Sequence, residues 1–170
     1  FLVLMMVVEV QKGTLFDDPE ILQKVDRITV ELLQKVPGVN GEQVMSLTHP
    51  KLKTTLTSGS GIKVVPLTYP RLPQDKEELE FFRRKAYTTE GVRGLFLSND
   101  DKATLIMAGF WEEYFDLAGM WKRIQEIQAR EEADGTLRIL VRTNAVLGIP
   151  NPVGADRFLY SPDSGATWKV

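Results

Sequence analysis

The chain has 170 residues, of which 43% are hydrophobic and 26% charged, and its formal net charge is −2. This length and composition predict one globular domain with a sizeable core. A weakly acidic protein lacks the basic footprint of nucleic-acid binding and the polybasic patch that anionic membranes attract. The absence of cysteine excludes disulfides, thiol catalysis and cysteine-based metal sites, and it fits an oxidising compartment.

The first eight residues, FLVLMMVV, are all apolar, and Glu9 ends the run. A bilayer needs about 20 apolar residues, and the run lacks the basic start and the cleavage site of a signal peptide. We interpret it as part of a buried central strand, Val3–Gln11. The alternative is a strand that follows a transmembrane helix outside this sequence. Because residue 1 is Phe rather than Met, we expect the sequence to be part of a longer chain.

A helix and a second strand follow. Asp18 and Pro19 form a typical helix start, since aspartate caps free amide groups and proline suits the first helical position. Apolar residues then recur at helical spacing until Pro37-Gly38, which ends the helix. Val39–Leu47 returns to a strand pattern. These elements form a βαβ unit if the two strands are parallel neighbours.

The next segment predicts a hairpin and a second helix. The short runs Lys51–Leu56 and Ile62–Leu67 are separated by a break at Ser58–Gly61, which suggests a flap or an edge hairpin. The break lacks the Lys-Ser/Thr pair and the following helix of a phosphate loop. A helix opens at Asp75-Lys76-Glu77-Glu78 and ends in the basic triplet Arg83-Arg84-Lys85, which complements the helix dipole.

The stretch Gly94–Gln128 organises the second half of the chain. Its apolar runs Leu95–Leu97 and Ala103–Phe110 flank the turn Asn99-Asp100-Asp101 and predict a hairpin. The second strand leads into an amphipathic helix, Leu117–Ala129.

The last predicted element, Leu137–Val141, is a half-exposed strand. The resulting order of elements predicts an α+β fold, a ferredoxin-like sandwich with the helices on one face of a mixed sheet and a β insertion. We expect residues 1–148 to form this domain and residues 149–170 to form a tail that is not an independent domain.

The sequence gives no positive support for an enzyme. His49 is the single histidine and precedes a proline, so we interpret it as a turn residue. Glu112 and Glu113 are adjacent, which suits solvated acids at a helix entry better than a catalytic pair. Asn99-Asp100-Asp101 lacks the ligand spacing of a calcium loop. We therefore expect no catalytic residue, no metal and no cofactor.

Aromatic residues are dense around the third helix: Trp111, Tyr114, Phe115 and Trp121. One interpretation is packing in the core and at the hairpin edge. The other is an apolar groove for a lipid-like ligand, because aromatic and methionine side chains suit such a ligand. On the second interpretation, the candidate substrate-binding residues are Trp111, Phe115, Met120 and Trp121.

Three segments resemble parts of the first periplasmic loop of bacterial RND-superfamily exporters of the MmpL-like group. They are VVEVQKGTLFDDPEILQKVDRITVELLQKVPGVNGEQVMSLTHPKLKTT (Val7–Thr55), KEELEFFRR (Lys76–Arg84) and FWEEYFD (Phe110–Asp116), the last of which leads into the helix Leu117–Ala129. The resemblance runs from about Val7 to Val141. It is carried by the order and spacing of the segments.

This resemblance implies a proton-driven transporter of the bacterial inner membrane, whose loop between the first two transmembrane helices forms a porter-type α+β domain on the periplasmic side. Substrates in the wider family are lipids or other hydrophobic molecules. The implied partners are the remaining transmembrane and periplasmic parts of the transporter, and the resemblance also allows a homo-oligomer. The proton-relay residues of the family lie in membrane helices, so no such role transfers to this sequence.

The end of the sequence departs from that family. The segment from Ser161 to Trp168 matches the pattern S-x-D-x-G-x-T-W and resembles a single Asp-box repeat of sialidase-like β-propellers. The matching residues are Ser161, Asp163, Gly165, Thr167 and Trp168. In those folds the repeat is a structural hairpin, and one repeat is too little for a propeller. The pattern leaves a carbohydrate-active protein as a third possibility.

Taken together, these observations predict the soluble periplasmic domain of an RND/MmpL-type exporter that helps to capture or pass hydrophobic substrates. The alternative is a ferredoxin-like protein-interaction module that recruits a partner by strand addition at the hairpin edge.

Overall fold

The structure is a computed structural model that describes residues 2–59 and 61–143. In chain order its elements are β1 (Leu2–Val10), α1 (Pro19–Lys35), β2 (Val39–Met45), β3 (Lys53–Ser58), β4 (Gly61–Pro66), α2 (Lys76–Thr88), β5 (Ala103–Phe110), a 3₁₀ turn (Glu112–Tyr114), α3 (Leu117–Glu131) and β6 (Leu137–Thr143).

The main sheet has the strand order β2-β5-β1-β6, and its pairings are antiparallel. Because β5 pairs with both β1 and β2, those two strands are parallel to each other without being neighbours, as in a split βαβ unit. The α+β sandwich predicted from the sequence is confirmed. One detail was wrong, because the sheet is antiparallel rather than mixed. The condition for a βαβ unit of neighbouring strands is not met, because β5 lies between β1 and β2. Local periodicity carries no information about which strands pair.

The core lies between one face of this sheet and the helices α1 and α3. Burial alternates along β1, where Leu4, Met6 and Val8 are fully buried, so the apolar start of the sequence is a central strand as predicted. The helices contribute apolar residues at helical spacing: Ile21, Leu22, Val25, Ile28 and Leu32 from α1, and Met120, Ile124 and Ile127 from α3. Burying each such side chain contributes roughly 1.5–3 kcal/mol.

Aspartates set the beginnings of the three helices, as the sequence predicted for the first two. Asp18 caps α1 by accepting a hydrogen bond from the Glu20 amide at 2.9 Å, and Pro19 occupies the first turn. Asp75 accepts from the Glu78 amide at 2.9 Å. Asp116 accepts from the Gly119 amide at 3.0 Å. Each cap satisfies an amide that has no partner inside its helix.

An insertion between β2 and β5 holds the β3–β4 hairpin and α2. The hairpin is a separate two-stranded sheet, which confirms the predicted edge hairpin. The insertion lies at the end of the main sheet where β1 ends and β5 begins. There the Val10 amide donates to the Lys102 carbonyl at 2.8 Å, and the Leu15 amide donates to the Asp101 carbonyl at 2.9 Å.

The hairpin predicted from Leu95–Leu97 and β5 is reduced to one antiparallel bridge, with hydrogen bonds from the Leu105 amide to the Phe96 carbonyl at 3.1 Å and from the Ser98 amide to the Ala103 carbonyl at 2.9 Å. Residues 92–97 instead fold into a turn, in which the Phe96 and Leu97 amides donate to the Val92 carbonyl at 2.9 and 3.0 Å. Only an isolated bridge joins Leu97 to Thr104 on β5. The turn uses the Phe96 amide, which a longer strand would have offered to β5, and the far half of that edge already pairs with β2. The Asn99-Asp100-Asp101 segment is a turn, as predicted.

None of the helices in the described part of the chain combines the length and the apolar character that crossing a membrane requires.

A buried lysine links α2 to the segment that follows β4 within the insertion. Lys85 on α2 is 5% exposed, and its ammonium donates to the Leu67 carbonyl at 2.6 Å and also to the Tyr69 carbonyl. The ammonium lies 4.7 Å from the centre of the Phe81 ring. Burial disfavours the charged form and lowers the pKa of Lys85 to about 8.

This pKa predicts a pH-dependent stability. The usual lysine value is 10.5, so between about pH 8 and pH 10.5 the unfolded chain binds more protons at Lys85 than the folded chain. The contribution of Lys85 to the free energy of unfolding therefore rises with pH in this window. In urea unfolding, we expect the free energy of unfolding of the unaltered chain, relative to that of Lys85→Met, to rise with pH across that window. Parallel pH profiles would contradict this account.

Candidate functional site

The candidate site lies at the end of the main sheet opposite to the insertion. Because β1 runs antiparallel to β5 and β6, its first residues lie beside the last residues of both strands. Leu2 pairs with Phe110, and Leu4 pairs with Thr143. Trp111 directly follows β5, so this residue and the 3₁₀ turn after it are fixed at the end of the sheet where β1 begins and β6 ends.

A cleft of about 650 Å³ opens at this end of the sheet. Its volume falls within the range of roughly 300–1,000 Å³ that is usual for small-molecule sites. The cleft is lined by residues of β2, the end of β5 and the 3₁₀ turn: Asn40, Gln43, Phe110, Trp111, Glu112, Glu113 and Tyr114. It is therefore a concave site of suitable size with a mixed aromatic and polar lining.

A bulge in β2 shapes one wall of the cleft. Residues 41–43 are extra residues between two positions of β2 that pair with consecutive residues of β5. The Asn40 side chain supports the bulge by accepting a hydrogen bond from the Glu42 amide at 3.0 Å. Gln43 lies over Gly109, where an added Cβ would come within 2.0 Å of its side-chain oxygen. Glycine at this position therefore makes room for the glutamine, and bulges often re-aim side chains in this way.

Main-chain contacts hold the opposite wall. The Trp111 amide donates to the Gly38 carbonyl at 2.9 Å, and the Tyr114 amide donates to the Trp111 carbonyl at 3.1 Å. Gly38 has a φ of +75°, and an added Cβ would lie 2.5 Å from the Tyr114 carbonyl oxygen. The close approach of the turn to the α1–β2 connection therefore requires glycine both for its conformation and for the space.

The four residues predicted to bind substrate do not gather in one groove. Trp111 lines the cleft and is 54% exposed. Phe115 is half-buried, and its ring meets the ring of Phe110 edge-on at 5.1 Å, behind the cleft wall. Met120 is fully buried in the core, and Trp121 is partly buried against it. A binding role for these residues stays a prediction, and Trp111 alone among them lines the cleft.

The predicted binding residues did not include four other uncharged residues that line the cleft: Asn40, Gln43, Phe110 and Tyr114. Tyr114 belongs to the aromatic cluster noted in the sequence, and at 69% exposure it is more accessible than Trp111. Asn40 and Gln43 come from a part of the chain about 70 residues before the turn, and their approach depends on the pairing of β2 with β5. The Asn40-Gly41 pair within a strand pattern was the available signal, because such pairs often mark bulges or turns.

The electrostatic character of the cleft is acidic. Glu112 and Glu113 are exposed on the 3₁₀ turn, in keeping with their predicted place at a helix entry. Asn40 and Gln43 are neutral, and none of the described lining residues is lysine, arginine or histidine. An electron-rich, negatively charged lining favours neutral or cationic ligands over anions.

A second polar cluster lies away from the cleft, near the end of β2. His49 is 9% exposed, and its Nδ1 accepts a hydrogen bond from the Lys51 amide at 3.2 Å, as suits a turn residue. Burial lowers the pKa of His49, and burial raises the pKa of the nearby Asp26 carboxyl. Within residues 2–59 and 61–143, no group of three or more histidine or acidic side chains could hold a metal ion.

The Asp-box-like residues lie outside the described part of the chain, as does the whole segment 149–170: Ser161, Asp163, Gly165, Thr167 and Trp168.

Comparison of the chain with protein-family models, with curated proteins and with solved structures finds no significant match.

The role of Gly38 leads to a test with an internal control. Gly38 and Gly91 both have a φ of +75°, but an added Cβ at Gly91 would have nothing within 4 Å. Alanine at either position is strained by the left-handed conformation, which lowers the free energy of unfolding by on the order of 1–3 kcal/mol. Gly38→Ala adds a clash with the backbone of the turn, so we expect it to lose at least about 1 kcal/mol more than Gly91→Ala in urea unfolding. Equal losses would show that the close contact with Tyr114 contributes nothing.

Proposed function

We propose that this chain is the periplasmic domain of a proton-driven RND/MmpL-type membrane exporter, and that its cleft takes part in the capture of hydrophobic, lipid-like cargo. The observation that carries the proposal is that three features lie together at one end of the sheet: the start of β1, the end of β6 and an aromatic cleft.

The positions of the strand ends suit a domain inserted between two membrane helices. Such a domain must be entered and left on the side that faces the membrane. Leu4 of β1 pairs with Thr143 of β6, and the Thr143 hydroxyl donates to the Val3 carbonyl at 3.0 Å. Chain segments that continue from β1 and β6 would thus leave the domain side by side, which supports the proposal.

The exposed aromatic residues lie at the same end of the sheet. Trp111 and Tyr114 are 54% and 69% exposed, and they sit on the turn that follows β5. Tryptophan and tyrosine are enriched where an apolar and an aqueous phase meet, because each ring combines an apolar body with a polar group. In the proposed orientation, a hydrophobic molecule that leaves the bilayer meets these two rings first.

The remaining predicted binding residues have supporting roles in this proposal. Phe115 contacts Phe110, the apolar floor of the cleft, and Met120 belongs to the core beneath α3. A rigid floor lowers the cost of ordering side chains when a ligand binds. Proton coupling would reside in membrane helices outside this chain, so the domain binds and passes cargo without itself driving transport.

Lipid retention tests the role of the cleft. We expect native mass spectrometry of the 170-residue chain, after incubation with a bacterial lipid extract, to show bound lipid. Trp111→Ala should reduce the affinity about fivefold, since an aromatic contact contributes about 1 kcal/mol. Leu95→Ala is the matched control, because Leu95 is 55% exposed and lies near the other end of β5.

Two outcomes would contradict cargo capture by the cleft. One is the absence of retained lipid on the unaltered chain. The other is an equal loss of lipid from Trp111→Ala and Leu95→Ala, which would indicate non-specific adhesion to exposed apolar side chains. The assignment to an exporter is tested separately by the gene sequence on either side of this chain. An apolar stretch of about 20 residues on each side is expected, and its absence from both sides would overturn the assignment.

A second candidate function is a protein-interaction module that acts through an exposed strand edge. β5 is unsuited to this role because it lies between β1 and β2. The β3–β4 hairpin is better suited, because within the described part of the chain each of its strands pairs on one side only. Ile62 and Val64 project from one face of β4 and are 72% and 66% exposed.

This second function predicts self-association through the hairpin. Sedimentation velocity at high protein concentration should detect dimers, and Ile62→Lys should remove them because a charge on an exposed strand disfavours edge and face pairing. A chain that stays strictly monomeric at every concentration would count against the interaction module and would leave the exporter proposal intact.

A further inference from the structure

The exposed rings of the cleft differ from two other exposed rings of the domain, those of Tyr87 and Phe81. Arg93 lies 4.6 Å from the centre of the Tyr87 ring, and Lys85 lies 4.7 Å from the centre of the Phe81 ring. These faces already carry a cation of the protein. Among the described residues, no guanidinium or ammonium group lies over Trp111 or Tyr114 in this way, and the two side chains are 54% and 69% exposed.

A carboxylate lies between those two rings in the chain. Glu112 and Glu113 are the middle residues of the segment Trp111–Tyr114, and both line the cleft. Glu112 takes part in a further interaction, so we assign the counter-charge to Glu113. Within the described residues, Glu113 forms no ion pair with lysine or arginine. By contrast, Glu31 is bound by Arg130 at 2.6 Å, and Glu78 is bound by Arg71 at 2.5 Å.

Aromatic faces and a carboxylate together recognise a specific kind of group. An organic ammonium ion is attracted to the negative face of an aromatic ring, tryptophan most strongly, and such rings form the usual site for quaternary ammonium groups. A nearby carboxylate adds a charge–charge attraction at the same place. Neither feature favours an anionic head group that lacks an ammonium group, because Glu113 would repel it.

The size of the cleft indicates more than a bare ammonium ion. A volume of about 650 Å³ exceeds what one small cation fills, and Phe110 offers an apolar floor. An alkyl chain attached to the ammonium group could lie against this floor while the charged head contacts the outer rings.

We propose that the cleft selects amphiphiles that carry an organic ammonium group, with Trp111 and Tyr114 contacting the cation and Glu113 supplying the counter-charge. The inference rests on the proposed function and names the chemical class of its cargo. The ammonium group can belong to the head group of a bilayer lipid or to a single amphiphile in solution.

The test compares ligands that share an alkyl chain and differ in charge. Decyltrimethylammonium, decyl maltoside and decyl sulfate are titrated into the 170-residue chain by isothermal calorimetry, each below its micelle concentration. We expect decyltrimethylammonium to bind about tenfold more tightly than decyl maltoside, and decyl sulfate to bind most weakly. Choline and its neutral isostere 3,3-dimethylbutan-1-ol repeat the comparison without an alkyl chain.

Matched variants locate the selectivity. Glu113→Gln should lower the preference for decyltrimethylammonium at least about threefold, and Trp111→Leu should lower it by a similar factor. Glu90→Gln removes one exposed carboxylate elsewhere and should leave the preference unchanged. Near-native circular dichroism and unfolding midpoints for all three variants would exclude misfolding as the cause.

Flotation with vesicles distinguishes the two sources of the ammonium group. Binding to phosphatidylcholine vesicles in preference to phosphatidylglycerol vesicles indicates a lipid head group. Binding of monomeric decyltrimethylammonium without vesicle flotation indicates an amphiphile in solution, and either result supports the inference.

Equal affinities for decyltrimethylammonium and decyl maltoside would overturn the inference, as would equal effects of Glu113→Gln and Glu90→Gln. If the chain then still retains neutral lipid in a Trp111-dependent manner, only the ammonium selectivity fails. If no amphiphile and no lipid binds, the proposed cargo capture fails with it.

Discussion

The pairing of β5 with both β1 and β2 is the constraint on which the rest of this structure depends. β5 is held on its two sides by antiparallel neighbours, so the residues that follow Phe110 can lie in only one place. The same pairing brings the start of β1 and the bulge of β2 to that place. Nothing within the segment 110–116 alone would produce a cleft, since one of its walls comes from Asn40 and Gln43.

Elements that depend on local chemistry could be predicted from the sequence. Asp18 and Pro19 begin α1, and alternating burial in β6 follows its alternating apolar residues. The strand order could not be predicted, because pairing is decided by contacts between residues about 100 positions apart. Leu95–Leu97 illustrates the limit. Its composition suits a strand, but hydrogen bonds to the Val92 carbonyl fold it into a turn.

The aromatic cluster shows a similar limit at the candidate site. Met120, Ile124 and Ile127 share one helical face, and that spacing alone places Met120 in the core. Trp111 precedes the helix, so no periodicity indicates whether its side chain is buried. Its main chain is held by the hydrogen bond to the carbonyl of Gly38, a glycine 73 residues earlier in the chain. The density of aromatic residues in the sequence therefore indicated the right part of the chain, but contacts between distant residues determine which of the rings are accessible.

The way in which the 3₁₀ turn is held also bears on how such a domain diversifies. Its position relies on main-chain atoms of Trp111 and Tyr114 and on the absence of a side chain at Gly38. The side chains at positions 111–114 are exposed. Substitution at such exposed positions changes the lining of the cleft, while the main-chain contacts that hold the turn stay in place.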